Sequence, residues 1–171
     1  MARRQQEKSQ QTQEELLLAA MELFGEKGFM ETTVSEITGR AGYAKGSFYR
    51  HWDSKDGLLL DILEKKLADY RCQRDQGLPA AENLTEALSN IWDFLEIIAS
   101  DQSWAVVMME FFLHAARNDD LRDQLASSEY RLSETLFASL IKEHVPPGFP
   151  SEKLGALNTA LFEGFMVHKA L

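Results

Sequence analysis

The stretch Ala41-Gly42-Tyr43-Ala44-Lys45-Gly46-Ser47-Phe48-Tyr49-Arg50-His51-Trp52 decides the fold. Gly42-Tyr43-Ala44 reads as a tight turn, and the residues after it as a short helix from about Lys45 to His51. Phe48 and Trp52 are spaced i, i+4, so a helix turns both inward and leaves Lys45, Ser47, Tyr49 and Arg50 on other faces. Just upstream, Thr33 and Glu36 have capping-box spacing, in which each side chain satisfies a backbone N–H of the other residue. That spacing predicts a second short helix burying Val34, Ile37 and Ala41. Two short helices joined by a glycine-containing turn have the geometry of a DNA-binding helix-turn-helix. The first braces the second, whose N-terminal residues enter the major groove. A helical pair with only a packing role satisfies the same spacing, which by itself favours neither.

Outward from this core, the pattern stays helical. Thr12 and Glu15 repeat the capping-box spacing and predict a first helix from Thr12, with Leu16, Ala20, Leu23 and Phe24 as its apolar stripe and Gly28 as its stop. The Gln-rich residues 5–13 read as a frayed polar arm. Downstream, Ser54 is placed to cap a long helix carrying Leu58, Leu59, Ile62, Leu63, Leu67 and Tyr70. Beyond Gly77-Leu78-Pro79, helices are predicted at 82–99, 102–116, 119–143 and 152–171, the last two separated by Pro146-Pro147-Gly148 and Pro150. Strand-like alternation is missing. The fold expected is all-α: an N-terminal three-helix module with the helix-turn-helix at 1–55, and a C-terminal helical bundle at 56–171.

Charge separates the two parts. The chain has 171 residues and a net charge of −9, which at first argues against a nucleic-acid partner. Residues 1–55, however, hold eight Lys/Arg against eight Asp/Glu, so all the excess negative charge lies beyond residue 55. Arg40, Lys45, Arg50, His51 and Lys55 crowd around the predicted turn and recognition helix. A small basic face on an acidic body orients a protein on DNA. The hydrophobic fraction of 44% is enough for a packed core. Cys72 is the single cysteine, no apolar run reaches the ~18 residues of a membrane span, and the polar Met1-to-Gln6 start lacks a secretory apolar region. A cytoplasmic protein with no membrane partner is the default expectation.

The runs Thr32-Thr33-Val34-Ser35-Glu36-Ile37 and Ala41 through Leu59, with Ala20-Met21-Glu22-Leu23-Phe24-Gly25-Glu26-Lys27-Gly28-Phe29 upstream, closely resemble the N-terminal domain of TetR-family transcriptional regulators. The likeness covers residues 12–63; Trp52 stands where Phe is usual in the family, and Gly57 where Glu is common. The resemblance implies that Thr33, Tyr49, His51 and Lys55 contact phosphates, while Lys45, Gly46 and Ser47 lie at base edges, with Arg50 beside them. The chemistry agrees, because Lys donates to guanine O6 and N7 and glycine lets the backbone approach closely. Packing of Tyr49 on the module surface and pairing of Lys55 with a nearby acid are the competing readings.

The resemblance further implies a homodimer on a palindromic operator, a body that binds a small-molecule effector, and, by the family's habit, repression relieved by that effector. Candidate pocket residues are Trp92, Trp104, Met108, Phe111 and Phe137, with Glu110 and His114 as polar anchors. Each of these apolar side chains also suits an ordinary core. Glu110 and His114 are spaced i, i+4 but have no evident third ligand, so no metal and no cofactor is expected. Ala156, Ala160 and Gly164 form a small-residue stripe beside Leu161, Phe165 and His168, a surface two helices can approach closely, and this is the expected dimer interface. Leu121, Leu125, Leu132, Leu136 and Leu140 make a rival seam along 119–143. Family members usually carry one more helix, so a truncated C-terminus is expected at Leu171. No nucleophile–base pair or phosphate-binding glycine loop suggests an enzyme. A helical carrier whose helix-turn-helix has lost DNA binding is the remaining alternative.

Overall fold

The computed structural model describes residues 2–77, 81–127, 137–138, 141–142 and 144–171, and among these every regular element is an α-helix. In chain order these are α1 (Ala2–Lys27), α2 (Val34–Arg40), α3 (Lys45–Phe48), α4 (Lys55–Gly77), α5 (Leu84–Ala99), α6 (Gln102–Ala115), α7 (Asp119–Ser127) and α8 (Ser151–Ala170). The helical positions 137–138 and 141–142 lie between α7 and α8. Leu78-Pro79 of the expected break, and Leu132, Leu136 and Leu140 of the rival seam, lie outside the described residues.

Local signals explain most of the ends. The Thr33 hydroxyl accepts from the Glu36 N–H at 3.3 Å and the Glu36 carboxylate accepts from the Thr33 N–H at 2.9 Å, completing the capping box of α2. Ser54 Oγ accepts from the Gly57 N–H at 3.0 Å and starts α4. Gly28 ends α1 at φ +87°, a left-handed conformation that glycine adopts without steric cost.

The expected start of α1 at Thr12 is corrected. The helix begins at Ala2, and Thr12 lies inside it, its hydroxyl donating to the Lys8 carbonyl at 2.9 Å one turn back. The Gln-rich stretch is therefore helical and not a frayed arm. The helix after the turn is also shorter than the spacing suggests: α3 ends at Phe48, and Tyr49 to His51 continue as turn.

One apolar core runs through both parts of the chain. It joins Leu16, Leu23, Phe24 and Phe29 to Phe48, Leu58, Leu59 and Ile62, and continues through Trp104, Met108, Phe111 and Leu121 to Met166. Burying each such large side chain is worth roughly 1.5–3 kcal/mol. A smaller cluster holds Ile91, Phe137 and Ile141. Residue 55 does begin a helix, α4, but that helix belongs to the shared core, so packing does not part at the expected boundary.

Candidate nucleic-acid interface

The turn between α2 and α3 has a defined hydrogen-bond pattern. Gly42 sits at φ +76°, its N–H donates to the Gly39 carbonyl at 3.2 Å, and the Tyr43 N–H reaches back to the Thr38 carbonyl at 2.8 Å. These two bonds are the Schellman arrangement, in which a left-handed glycine closes one helix and redirects the chain. Ala44 is then extended, and α3 begins at Lys45. Phe48 is fully buried and Trp52 nearly so, while the Trp52 indole N–H donates to Asp61 of α4 at 3.0 Å. Gln13 of α1 donates to the same carboxylate at 3.1 Å, so α1, α4 and the residues after α3 are tied at one point.

With Phe48 held inside, Lys45, Gly46, Tyr49 and Arg50 are exposed and Ser47 and His51 half-buried. Arg50 donates to Ser47 Oγ at 3.1 Å. Tyr49 is 50% exposed, its ring edge-on to Phe48 at 5.4 Å between centroids, which leaves its hydroxyl clear of the core. Burial and the neighbouring Arg50 guanidinium both push the His51 imidazole below its ordinary pKa, which favours the uncharged ring. Thr33 stands apart on the α2 cap, with its hydroxyl engaged by Glu36 at 2.7 Å. The same Glu36 carboxylate, held by Lys27 and by Thr33, has its pKa lowered to about 2.

Lys55 departs from its expected role. Its ammonium turns inward and donates to the carbonyls of Phe29 at 2.5 Å, Thr32 at 2.8 Å and Met30 at 3.2 Å, and it lies 4.3 Å over the Phe29 ring. Burial lowers its pKa. A cation spent on three carbonyl oxygens is a brace for the α1–α2 loop and not a free phosphate ligand. Neither does Arg40 belong to an open basic face: it grips Glu26 at 2.8 Å and Glu22 at 3.3 Å, partners 14 and 18 positions earlier in the chain. The five-residue basic cluster read from sequence thus narrows to Lys45, Arg50 and His51.

Among the described residues, the expected pocket residues fall in several parts of the fold. Met108 and Phe111 are fully buried in the main core, and Phe111 packs against Phe29 at 5.8 Å between ring centroids. Phe137 belongs to the smaller cluster, and Trp92 is 54% exposed, donating to Asn158 at 3.2 Å. Glu110 and His114 face the DNA-binding module: Glu110 accepts from the Met30 N–H at 3.2 Å, and His114 lies 3.3 Å from the Asp56 carboxylate. Trp104 lines a cleft with Met21, Phe24, Lys66 and Val107, of about 70 Å³. Effector sites usually enclose several hundred Å³, so this cleft is too small for one.

On α8, Gly155, Phe162 and Met166 turn toward the core. Ala156, Ala160, Gly164 and His168 are exposed, as is Leu161 at 59%, while Phe165 is half-buried beneath the Lys169 ammonium. The small-residue stripe therefore lies on the outer face of this protomer.

Residues 16–62 match the model of the bacterial regulatory proteins of the tetR family. The N-terminal module is thus similar to that of the tetR-family regulators. The TetR-type module is 43% identical over 51 residues to the uncharacterized HTH-type transcriptional regulator YerO of Bacillus subtilis (strain 168), a match covering 30% of this chain and 18% of that protein. The HTH-type transcriptional repressor KstR2 of Rhodococcus jostii (strain RHA1) is 32% identical over 109 residues, 61% of this chain and 52% of that protein. The chain thus spans at most about half the length of these two curated relatives. The fold as a whole is that of the fatty acid degradation regulator FadR from Bacillus halodurans, with a TM-score of 0.77 over 92% of this chain and 83% of that one at 17% identity. Among the described residues the chain is all-helical, with an N-terminal helix-turn-helix. No described helix is long and apolar enough to cross a membrane.

Proposed function

We propose that this regulator is a homodimeric repressor that binds a palindromic operator and is released from it by a small-molecule effector. The observation that carries the reading is the division of the short recognition helix. Phe48 is buried and fixes the helix on the module, while Lys45, Gly46, Tyr49 and Arg50 present an open polar face at its start and end. Lys45 and Ser47 read base edges, and Tyr49, Arg50 and His51 take phosphates. Thr33 adds a phosphate contact by turning its hydroxyl proton from Glu36 to a phosphate oxygen. A regulator of this kind works where the chromosome is, in the cytoplasm.

The dimer forms through the outer face of α8, where Ala156, Ala160 and Gly164 let a second copy approach closely beside Leu161. Support for effector control comes from the link between body and module: α6 carries Glu110 and His114 onto the α1–α2 loop and the start of α4. An effector that binds one placement of α6 better than another changes DNA affinity by that difference, typically about 1–3 kcal/mol. Selection from a random duplex pool with the full chain tests the reading. The expected consensus is palindromic, with half-sites about 34–36 Å apart or a multiple of it. Recovery of no consensus, with binding insensitive to salt, would leave the helical-carrier alternative in its place.

A further inference from the structure

The module's cations fall into two groups once their partners are known. Lys27 pairs with Glu36 at 2.5 Å, Arg40 with Glu22 and Glu26, and Lys55 with three carbonyls. Arg4 and Lys8, by contrast, are exposed on the first turns of α1 and have no ion-pair partner among the described residues. They are spaced i, i+4 and so share a helix face. Residues 2–11 hold three cations, Arg3, Arg4 and Lys8, against the single acid Glu7. They extend α1 beyond the apolar stripe that begins at Leu16, by about 15 Å at the usual rise.

The direction in which this extension leaves the module is set by Glu15. Its carboxylate accepts from the Tyr43 hydroxyl and from Gln11 at 2.9 Å, and both contacts hold it below the usual carboxylate pKa range. Tyr43 lies in the turn just before Lys45. The extension therefore departs from the core beside the start of the recognition helix. An exposed helix with a cationic face, continuous with a DNA-reading surface, has one evident complement in the phosphate backbone flanking the groove.

We propose that the first turns of α1 form a second phosphate-contact surface, with Arg4 and Lys8 gripping the duplex backbone beyond the bases read by α3. The inference rests on the DNA-binding reading above. It explains why those turns are helical although no core holds them: a preformed helix presents both charges together, whereas a loose arm would have to be ordered on binding.

The test uses the full chain with Arg4 and Lys8 both replaced by Ala, and a labelled mixed-sequence duplex of about three helical turns. Affinity is measured from about 50 to 200 mM salt. Each lost phosphate contact lowers the slope of log K against log salt by about 0.9, so a fall of about 1.8 per protomer, about 3.6 for the bound dimer, is expected, with equal loss on selected and unselected sequences. Lys142→Ala, exposed and outside both the module and α8, serves as the control and should leave the slope alone. An unchanged slope in the double variant, with helicity intact by circular dichroism, overturns the proposal, as does an equal fall in the control. Wild-type protein that fails to bind the duplex at low salt removes the DNA reading itself, and this surface with it.

Discussion

Glu110 of α6 accepts a hydrogen bond from the backbone N–H of Met30, eighty positions earlier in the chain, at 3.2 Å. The contact closes a short circuit of structure. Gly28 sits directly beneath the carboxylate, Phe29 inserts between Phe24 and Phe111, and Lys55 gathers the loop carbonyls from the other side. The loop joining the helix-turn-helix to α1 is thus clamped by a residue of the body and a residue of α4. Any movement of α6 reaches the helix-turn-helix through this loop.

Gly28 and Glu110 should behave as a coupled pair. A Cβ at Gly28 would lie 2.5 Å from a Glu110 carboxylate oxygen, and the backbone there is left-handed at φ +87°. Gly28→Ala is expected to destabilise by about 1–2 kcal/mol from the backbone alone, plus the contact. Glu110→Ala removes the acceptor for Met30 at a cost of about 1 kcal/mol. In the double variant the contact part vanishes and the backbone part remains, so the two losses should sum to more than the measured whole. Urea unfolding of the four proteins measures this; strict additivity would place the carboxylate elsewhere in solution.

Lys55 and Lys45 should separate stability from recognition. Lys55→Ala removes a cation bound to three carbonyls and is expected to cost about 1.5–3 kcal/mol of stability while leaving the salt slope of DNA binding unchanged. Lys45→Ala touches nothing inside the protein, so its thermal midpoint should match wild type. It should relax base preference at one or two positions per half-site, worth roughly 1–3 kcal/mol for a lost guanine contact. Thermal melts and random-pool selection on both variants provide the comparison. A Lys55 variant that melts like wild type would show the brace to be unimportant.

His51 is expected to make DNA binding depend on pH. Burial and Arg50 hold its pKa below the ordinary 6.5 in the free protein, so the ring is mostly neutral near pH 7. Phosphates nearby favour the charged ring and raise the pKa. The bound state then holds more protons than the free state, and affinity should rise as pH falls through the window between the two pKa values. The folding contribution has the opposite direction: a depressed histidine pKa costs stability as pH drops below the unfolded value. Titrations of DNA affinity from about pH 7.5 to 5.5 should show the rise in wild type and its loss in His51→Gln. A pH profile unaffected by that substitution would take His51 off the phosphate.

Gly164 tests the dimer face without disturbing the protomer. A side chain built there meets nothing within 4 Å. Gly164→Trp should therefore leave the protomer folded, while the bulky ring keeps a second α8 at a distance. The expected outcome is a monomer by sedimentation, with helicity retained and operator affinity strongly reduced, because one module has few groove contacts. A variant still dimeric would move the interface away from this stripe.

Much of the recognition element was legible in the residues themselves. Capping boxes, left-handed glycines and i, i+4 spacing are local signals, each satisfied within a few residues, and so Thr33–Glu36, Gly42 and Phe48 can be placed from sequence. The same local logic failed at Thr12, where an equally good capping box lies inside a longer helix, because the helix-forming residues before it make an earlier start available.

Sequence alone determined the all-helical class, the helix-turn-helix and the likeness of residues 16–62 to the tetR family, since these follow from short-range pattern. It did not determine the use of each charge. Arg40 and Lys55 have the same apparent claim on DNA as Lys45, yet one is taken by carboxylates of α1 and the other by carbonyls of the α1–α2 loop. Glu110 and His114, read as pocket anchors, contact the α1–α2 loop and the start of α4. Only the tertiary structure decided these roles. A cation or carboxylate binds whichever partner the fold brings within reach, and partners fourteen to eighty positions apart leave no periodic trace in the chain.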